Sequence, residues 1–228
     1  MTSVTSVDYP DDAAGQDRYS TVAIALHWAI AALVLYNLAS GLLRPALPRG
    51  FFVFHISSGI TILALSVIRI GWRLAHRPPP LPALAAWQRR LAHVVHFLLY
   101  ALIVILPLSG WAFVSAKPPA GSPGAAWVAA QRPEAGEPAR PRGPTMLWNV
   151  VKLPLIAPIS ELGRAPDGVP RQRALHDRLE DAHAAGAWII LLLIVLHVGA
   201  ALRHQLFGNT RQLARMGIGR VPAEDRSV

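Results

Sequence analysis

Nine histidines and no cysteines stand in a chain of 228 residues. Five of the histidines, His27, His55, His96, His183 and His197, fall within long apolar runs or at their edges. An ionisable side chain in such a run is costly and usually faces the interior of a bundle, where it has a task to perform. Imidazole can hydrogen-bond, carry a proton or coordinate a metal. The lack of cysteine excludes disulfides, iron–sulfur clusters, thioether-linked haem and thiolate metal sites. The few carboxylates lie mostly outside the apolar runs, which argues against an all-oxygen metal site. Histidine is the remaining ligand type, for a metal ion or for the iron of a haem. No serine or threonine motif stands beside a plausible base, so nucleophilic catalysis finds no support.

The elements that must position these histidines are helices. Apolar residues make up 53% of the chain and charged residues 15%, against about 25% charged in soluble domains. Mean hydropathy is positive. A bilayer core of about 30 Å needs roughly 20 apolar residues in a helix. Four runs qualify, at about 22–43, 52–74, 91–114 and 182–207. The expected fold is all-α, an integral membrane four-helix bundle. Residues 1–21 read as a polar extension without the apolar core of a signal peptide, and 208–228 as a polar tail. The connection 75–90 carries the spacer Pro78-Pro79-Pro80 with Pro82. The long connection 115–181 is too rich in proline and glycine to form one regular element. Within it, Leu147 to Pro154 reads as a segment lying at the interface, because Trp148 and Lys152 suit head-group depth.

Formal net charge is +9. In a soluble protein that balance would suggest a nucleic-acid partner. Here the basic residues cluster at the ends of apolar runs, so phospholipid head groups are the expected partner and nucleic acid is not. Arg18, Arg73, Arg77, Arg89, Arg90, Arg203, Arg211, Arg215 and Arg220 mark one side. Arg44, Arg49, Lys117, Arg171, Arg173 and Arg178 mark the other. The excess near helix ends places both termini inside and the long loop outside.

Depth then sorts the histidines into two layers. His27 lies near the inner end of the first span, and His55 and His183 near the outer ends of the second and fourth. His197 follows His183 by 14 residues, a descent of about 21 Å that returns it to the level of His27. Fourteen residues leave the two about 40° apart, on one stripe. Ala31, Val34, Leu38 and Gly41 share the face of His27, and Ser58, Gly59, Ile62 and Ser66 that of His55. Small residues there leave room for a flat macrocycle, or merely let helices approach closely. Two layers emerge, His27 with His197 and His55 with His183. His93 and His96 compete for the inner layer on depth alone. His76 and His176 read as solvated. Two imidazoles on one haem iron leave no open position and suit electron transfer.

The chain resembles the bacterial cytochrome b561 family. The resemblance rests on Arg18-Tyr19-Ser20 with Leu26-His27-Trp28, on His55-Ile56-Ser57-Ser58-Gly59, and on Arg69 with Trp72-Arg73. It continues through Ala92-His93-Val94-Val95-His96 with Leu99-Tyr100, and through Pro107-Leu108-Ser109-Gly110-Trp111. It ends with Leu196-His197, Ala200 to His204, and Arg215-Met216. The resemblance implies four transmembrane helices and two b haems in the bundle core. It implies His27 and His197 as ligands of one haem, and His55 and His183 of the other, against His93 and His96. Some members are similar to superoxide oxidases that reduce ubiquinone; related proteins are cytochrome b subunits anchoring dehydrogenases or hydrogenases. The implied location is the cell inner membrane, and the implied activity is electron transfer to quinone, with superoxide or a redox protein as donor. The longer N-terminus and longer outer loop depart from the compact form of the family.

Four further residues near the inner surface, Arg69, Arg73, His93 and His204, could receive haem propionates or a quinone head group. Arg44, Arg49, Lys117 and Lys152 could draw an anion such as superoxide to the outer side. A rival of another class is a haem-free transporter with intramembrane histidines. Transporters favour broken helices, and Pro107 is the one proline within an expected span.

Overall fold

A computed structural model describes residues 18–76, 85–131, 144–207 and 212–219. Most of the N-terminal extension, Arg77, the Pro78-Pro79-Pro80 spacer with Pro82, Arg211, Arg220 and the side chain of Arg49 lie outside the described residues.

Among the described residues, four helices are long and apolar enough to cross a membrane. The first, α1 (Thr21–Leu42), starts where Ser20 turns its hydroxyl back to accept from the amide of Ala23. The second, α2, spans Arg49–Ala75, and the third, α3, spans Ala86–Ser115. Pro107 lies inside α3 without ending it, as membrane helices tolerate when neighbours re-satisfy the freed carbonyl. The described part of the long connection folds into α4 (Pro123–Ala130), a hairpin of β1 (Met146–Leu147) and β2 (Val151–Lys152), and α5 (Ala157–Glu161). A 3-10 turn at Pro166–Gly168 leads into α6, which runs from Val169 to Phe207. A short α7 (Gln212–Arg215) follows.

Two boundaries differ from the sequence reading. Helix α3 begins at Ala86 rather than near 91, and α6 at Val169 rather than near 182. The reason is that hydropathy stops where charge begins, whereas helix formation does not. Arg, Gln, Leu and Ala are good helix formers in water. At 1.5 Å per residue the 39 residues of α6 run about 58 Å, well beyond a bilayer core.

Close packing pairs α1 with α2, α2 with α3 and α3 with α6, while α6 stands off from α1 and α2. The centre is dry. Ile30, Val34, Leu38, Ile62 and Ile190 are buried together, with Leu33, Leu65, Leu102, Ile103, Leu106 and Ile194 around them. The outward faces are apolar too: Leu35, Val67, Phe97, Ile105, Leu192 and Val195 are exposed. Apolar surface on this scale is stable against lipid rather than water. The chain is an all-α membrane helical bundle.

Both described chain ends meet at one end of the bundle, called here the terminal end. There the amide of Tyr19 donates to Arg215, and the Trp28 indole to the carbonyl of Met216. The opposite end, the loop end, is roofed by the long connection. Trp111 donates to the carbonyl of Pro154, the amide of Ile156 to Ser115, and Lys117 to Thr145. Gln172, at the foot of α6, donates to the carbonyls of Ile159 and Ser160 and closes the end of α5. The segment read as interfacial is thus a hairpin pinned along α2. Its turn residues Trp148 and Asn149 have φ of 50° and 59°. Left-handed backbone at a tryptophan costs roughly 1–2 kcal/mol. Three contacts hold it: the Trp148 amide on Ser57, its indole N–H on Thr61, and its ring tilted against Phe54 at 5.9 Å.

Candidate functional site

At the loop end, α2 and α6 bring His55 and His183 together, with ring centres 6.3 Å apart and ring planes at 73°. Each ring is held from a neighbouring helix. The Nδ1 of His55 lies 3.0 Å from the hydroxyl of Ser40 on α1. The Nδ1 of His183 lies 2.9 Å from the hydroxyl of Ser109 on α3. A glycine follows each serine and lets the ring in. A methyl built on Gly41 would sit 3.2 Å from Cε1 of His55, and one on Gly110 3.1 Å from Cε1 of His183. Asn37 stiffens the α1–α2 contact by donating to the hydroxyl of Ser58 and to the carbonyl of Leu33.

At the terminal end, α1 and α6 bring His27 and His197 together with ring centres 6.4 Å apart. A third ring is present: His96 of α3 stands edge-on to His197 at 5.1 Å. Its Nδ1–H donates to the carbonyl of Ala92. Arg69 of α2 reaches into this layer, donating to the carbonyl of Ala23 at 2.6 Å and to the hydroxyl of Tyr100 at 3.2 Å. Between the two layers lies the dry centre of Ile30, Val34, Leu38, Ile62 and Ile190.

The separations can be tested against coordination. Two metal–imidazole bonds of about 2.0 Å with two ring radii span roughly 6.3 Å between ring centres. The His55–His183 and His27–His197 pairs match that span for two ligands on opposite sides of one ion, whereas His96–His197 falls short of it. Both matching pairs bridge α6 to a helix from which it stands off. A flat macrocycle needs such a gap. The residues present therefore fit two bis-histidine haems.

The other expected residues are scattered. Arg73 and His93 are exposed at the terminal end, where His93 donates to the carbonyl of its own helix at Arg89. His204 is half-buried in the last turn of α6. His76 stacks on Trp72 at 3.8 Å and is exposed, as read. His176, read as solvated, is half-buried against the ring of Phe113 at 4.5 Å. It lies on the early part of α6 and so is carried to the end of α3. Arg44 at the loop end is paired with Glu180 at 3.8 Å, which offsets part of the positive field expected there. Outside the spans, the Arg164 guanidinium beside Glu161 holds that carboxyl below its ordinary range. Ser40, Gly41, Ser109, Gly110 and Tyr100 were not singled out for these roles. A signal existed: the dipeptide Ser-Gly stands near the loop-side end of three apolar runs, as Ser40-Gly41, Ser58-Gly59 and Ser109-Gly110, at the depth of His55 and His183.

The chain is similar to known proteins along most of its length. A 117-residue stretch is 33% identical to the probable superoxide oxidase CybB of Yersinia pestis, covering 49% of this chain and 63% of that protein, so the match spans under two thirds of that relative. Cytochrome b561 homolog 2 of Escherichia coli strain K12 is 28% identical over 207 residues, 88% of this chain and 91% of the relative. Cytochrome b561 homolog 1 of the same organism is 27% identical over 207 residues, 88% and 97% respectively. The family model for prokaryotic cytochrome b561 matches residues 18–219, which takes in all four spans and all four paired histidines. The chain belongs to the prokaryotic cytochrome b561 family, whose work is membrane electron transfer.

Proposed function

We propose that the chain carries electrons across a cell inner membrane through two b haems, held by His27 with His197 and by His55 with His183. The observation that carries this reading is the pair of imidazole separations, 6.4 and 6.3 Å, at two levels of one bundle. A haem held by two such imidazoles would supply one-electron transfer and would offer no site for oxygen binding. The protein's own part is to hold the rings, exclude water and receive charge. The apolar centre of Ile30, Val34, Leu38, Ile62 and Ile190 keeps water from between the layers. Arg69, anchored by Ala23 and Tyr100, presents a guanidinium at the terminal layer for a propionate or a quinone head group. Arg73, His93 and His204 border the same end, where lipid phosphate is also a partner.

The donor is superoxide, by likeness to the relative named a probable superoxide oxidase, and the acceptor is ubiquinone, as the family resemblance implies. Two superoxide anions each give up one electron and leave as dioxygen, while one quinone takes both electrons and two protons. Both termini face the cytoplasm, because basic residues cluster at the terminal end. The test is a haem assay on purified chain as alkaline pyridine haemochrome, with superoxide-driven haem reduction followed by stopped flow. Two haems per chain and rapid reduction are expected. Fewer than two haems overturns the dihaem reading. Two haems without reduction by superoxide removes that donor and leaves a soluble redox protein in its place.

A further inference from the structure

The two loop-end histidines are held by one device used twice. Ser40 lies on α1 and serves His55 of α2; Ser109 lies on α3 and serves His183 of α6. Each hydroxyl donates to the carbonyl three residues earlier in its own helix, Asn37 at 3.2 Å and Leu106 at 2.8 Å. A serine hydroxyl has one proton. With that proton given to the carbonyl, the hydroxyl must accept from the imidazole, so each ring carries its proton on Nδ1. Nε2 then keeps its lone pair, which is the form that bonds iron.

We propose that Ser40 and Ser109 are positioning residues that lock His55 and His183 as Nδ1–H tautomers and thereby set the potential of the loop-end haem apart from that of the terminal one. This rests on the bis-histidine reading above. A hydrogen bond from the far ring nitrogen orients a metal-bound imidazole and raises its basicity. In an apolar setting such a bond is stronger than in water. More basic axial ligands favour ferric over ferrous iron and lower the potential. Among the described residues, no hydroxyl hydrogen-bonds to the ring of His27 or His197, whose ring neighbours are Trp28, His96 and each other. The two haems therefore differ in kind, and the effect belongs to one of them.

The experiment uses full-length protein in detergent with Ser40→Ala, Ser109→Ala, the double variant, and Ser40→Thr and Ser109→Thr, which keep a hydroxyl. Haem content, optical redox titration and the low-spin ferric resonance are measured. The loop-end haem is assigned as the one lost in His183→Ala. A tenfold loss of ferric relative to ferrous binding, at the low end of the effect of such partners, raises a one-electron potential by about 59 mV. Each alanine variant is expected to move the loop-end potential upward by that order, with the threonine variants near wild type and the terminal haem unmoved. Loss of the loop-end haem from the alanine variants but not the threonine ones also supports the proposal. An unmoved or lowered potential in alanine variants that keep two haems overturns it, as does equal disturbance by alanine and threonine. If the double variant does not accumulate, the single variants decide for each serine. A wild-type chain with fewer than two haems overturns the dihaem reading itself and this proposal with it.

Discussion

Gly110→Ala separates the stability of the bundle from the geometry of its site. The added methyl falls 3.1 Å from Cε1 of His183, 3.5 Å from Nδ1 and 3.9 Å from Nε2. Carbon–carbon contact is comfortable from about 3.5 Å, so the ring must retreat by roughly 0.4 Å. Alanine inside a helix is favoured over glycine by about 1 kcal/mol, which offsets the strain in the fold. Functional geometry tolerates displacements of about 0.5 Å. The variant should therefore accumulate with an unchanged Tm and two haems, but with a shifted ferric resonance from the loop-end haem alone. Gly110→Val carries two more carbons toward the same ring and should lose that haem. Gly199→Ala is the control, since nothing lies within 4 Å of its new methyl. The assay is haem per chain by pyridine haemochrome, with thermal unfolding followed in parallel. A Gly110→Val chain that keeps both haems and wild-type spectra would falsify the placement of His183 against Gly110, or its role as a ligand.

His183→Ala should leave one haem per chain, and His197→Ala should remove the other; His96→Ala should retain both, because its separation from His197 falls short of what two opposed ligands of one ion need. Optical spectra of the purified variants decide this. Arg69→Gln removes a charge while keeping donors, and is expected to lower the rate of quinone reduction by about tenfold, on the scale of one charge-assisted hydrogen bond; an unchanged rate places the quinone elsewhere. Trp148→Gly relieves the left-handed backbone but removes the indole bond to Thr61 and the contact with Phe54. Limited proteolysis of the outer connection should quicken while haem content stays at two. Ile190→Ala opens a cavity in the dry layer and should cost about 2–5 kcal/mol, read as a lower Tm.

Much of this site was legible from one dimension. Depth is a local property: each helical residue rises 1.5 Å, so 14 residues between His183 and His197 place them on two levels before any contact is known. The four spans were equally local, because lipid demands a continuous apolar run. Hydropathy lost the true start of α6, since the charged turns after Val169 are helical in water without being apolar. The choice between His27 and His96 was not local either. Both have the right depth, and only the placing of α1 and α3 around α6 sets the His96 ring at 5.1 Å and the His27 ring at 6.4 Å from His197. The serine partners were hidden for the same reason. Ser109 and His183 are 74 residues apart, and their hydrogen bond exists because two helices turn particular faces toward each other. Periodicity and composition thus fixed how deep each histidine lies. Helix rotation and close packing, which depend on every side chain at the crossing, decided what each one meets there.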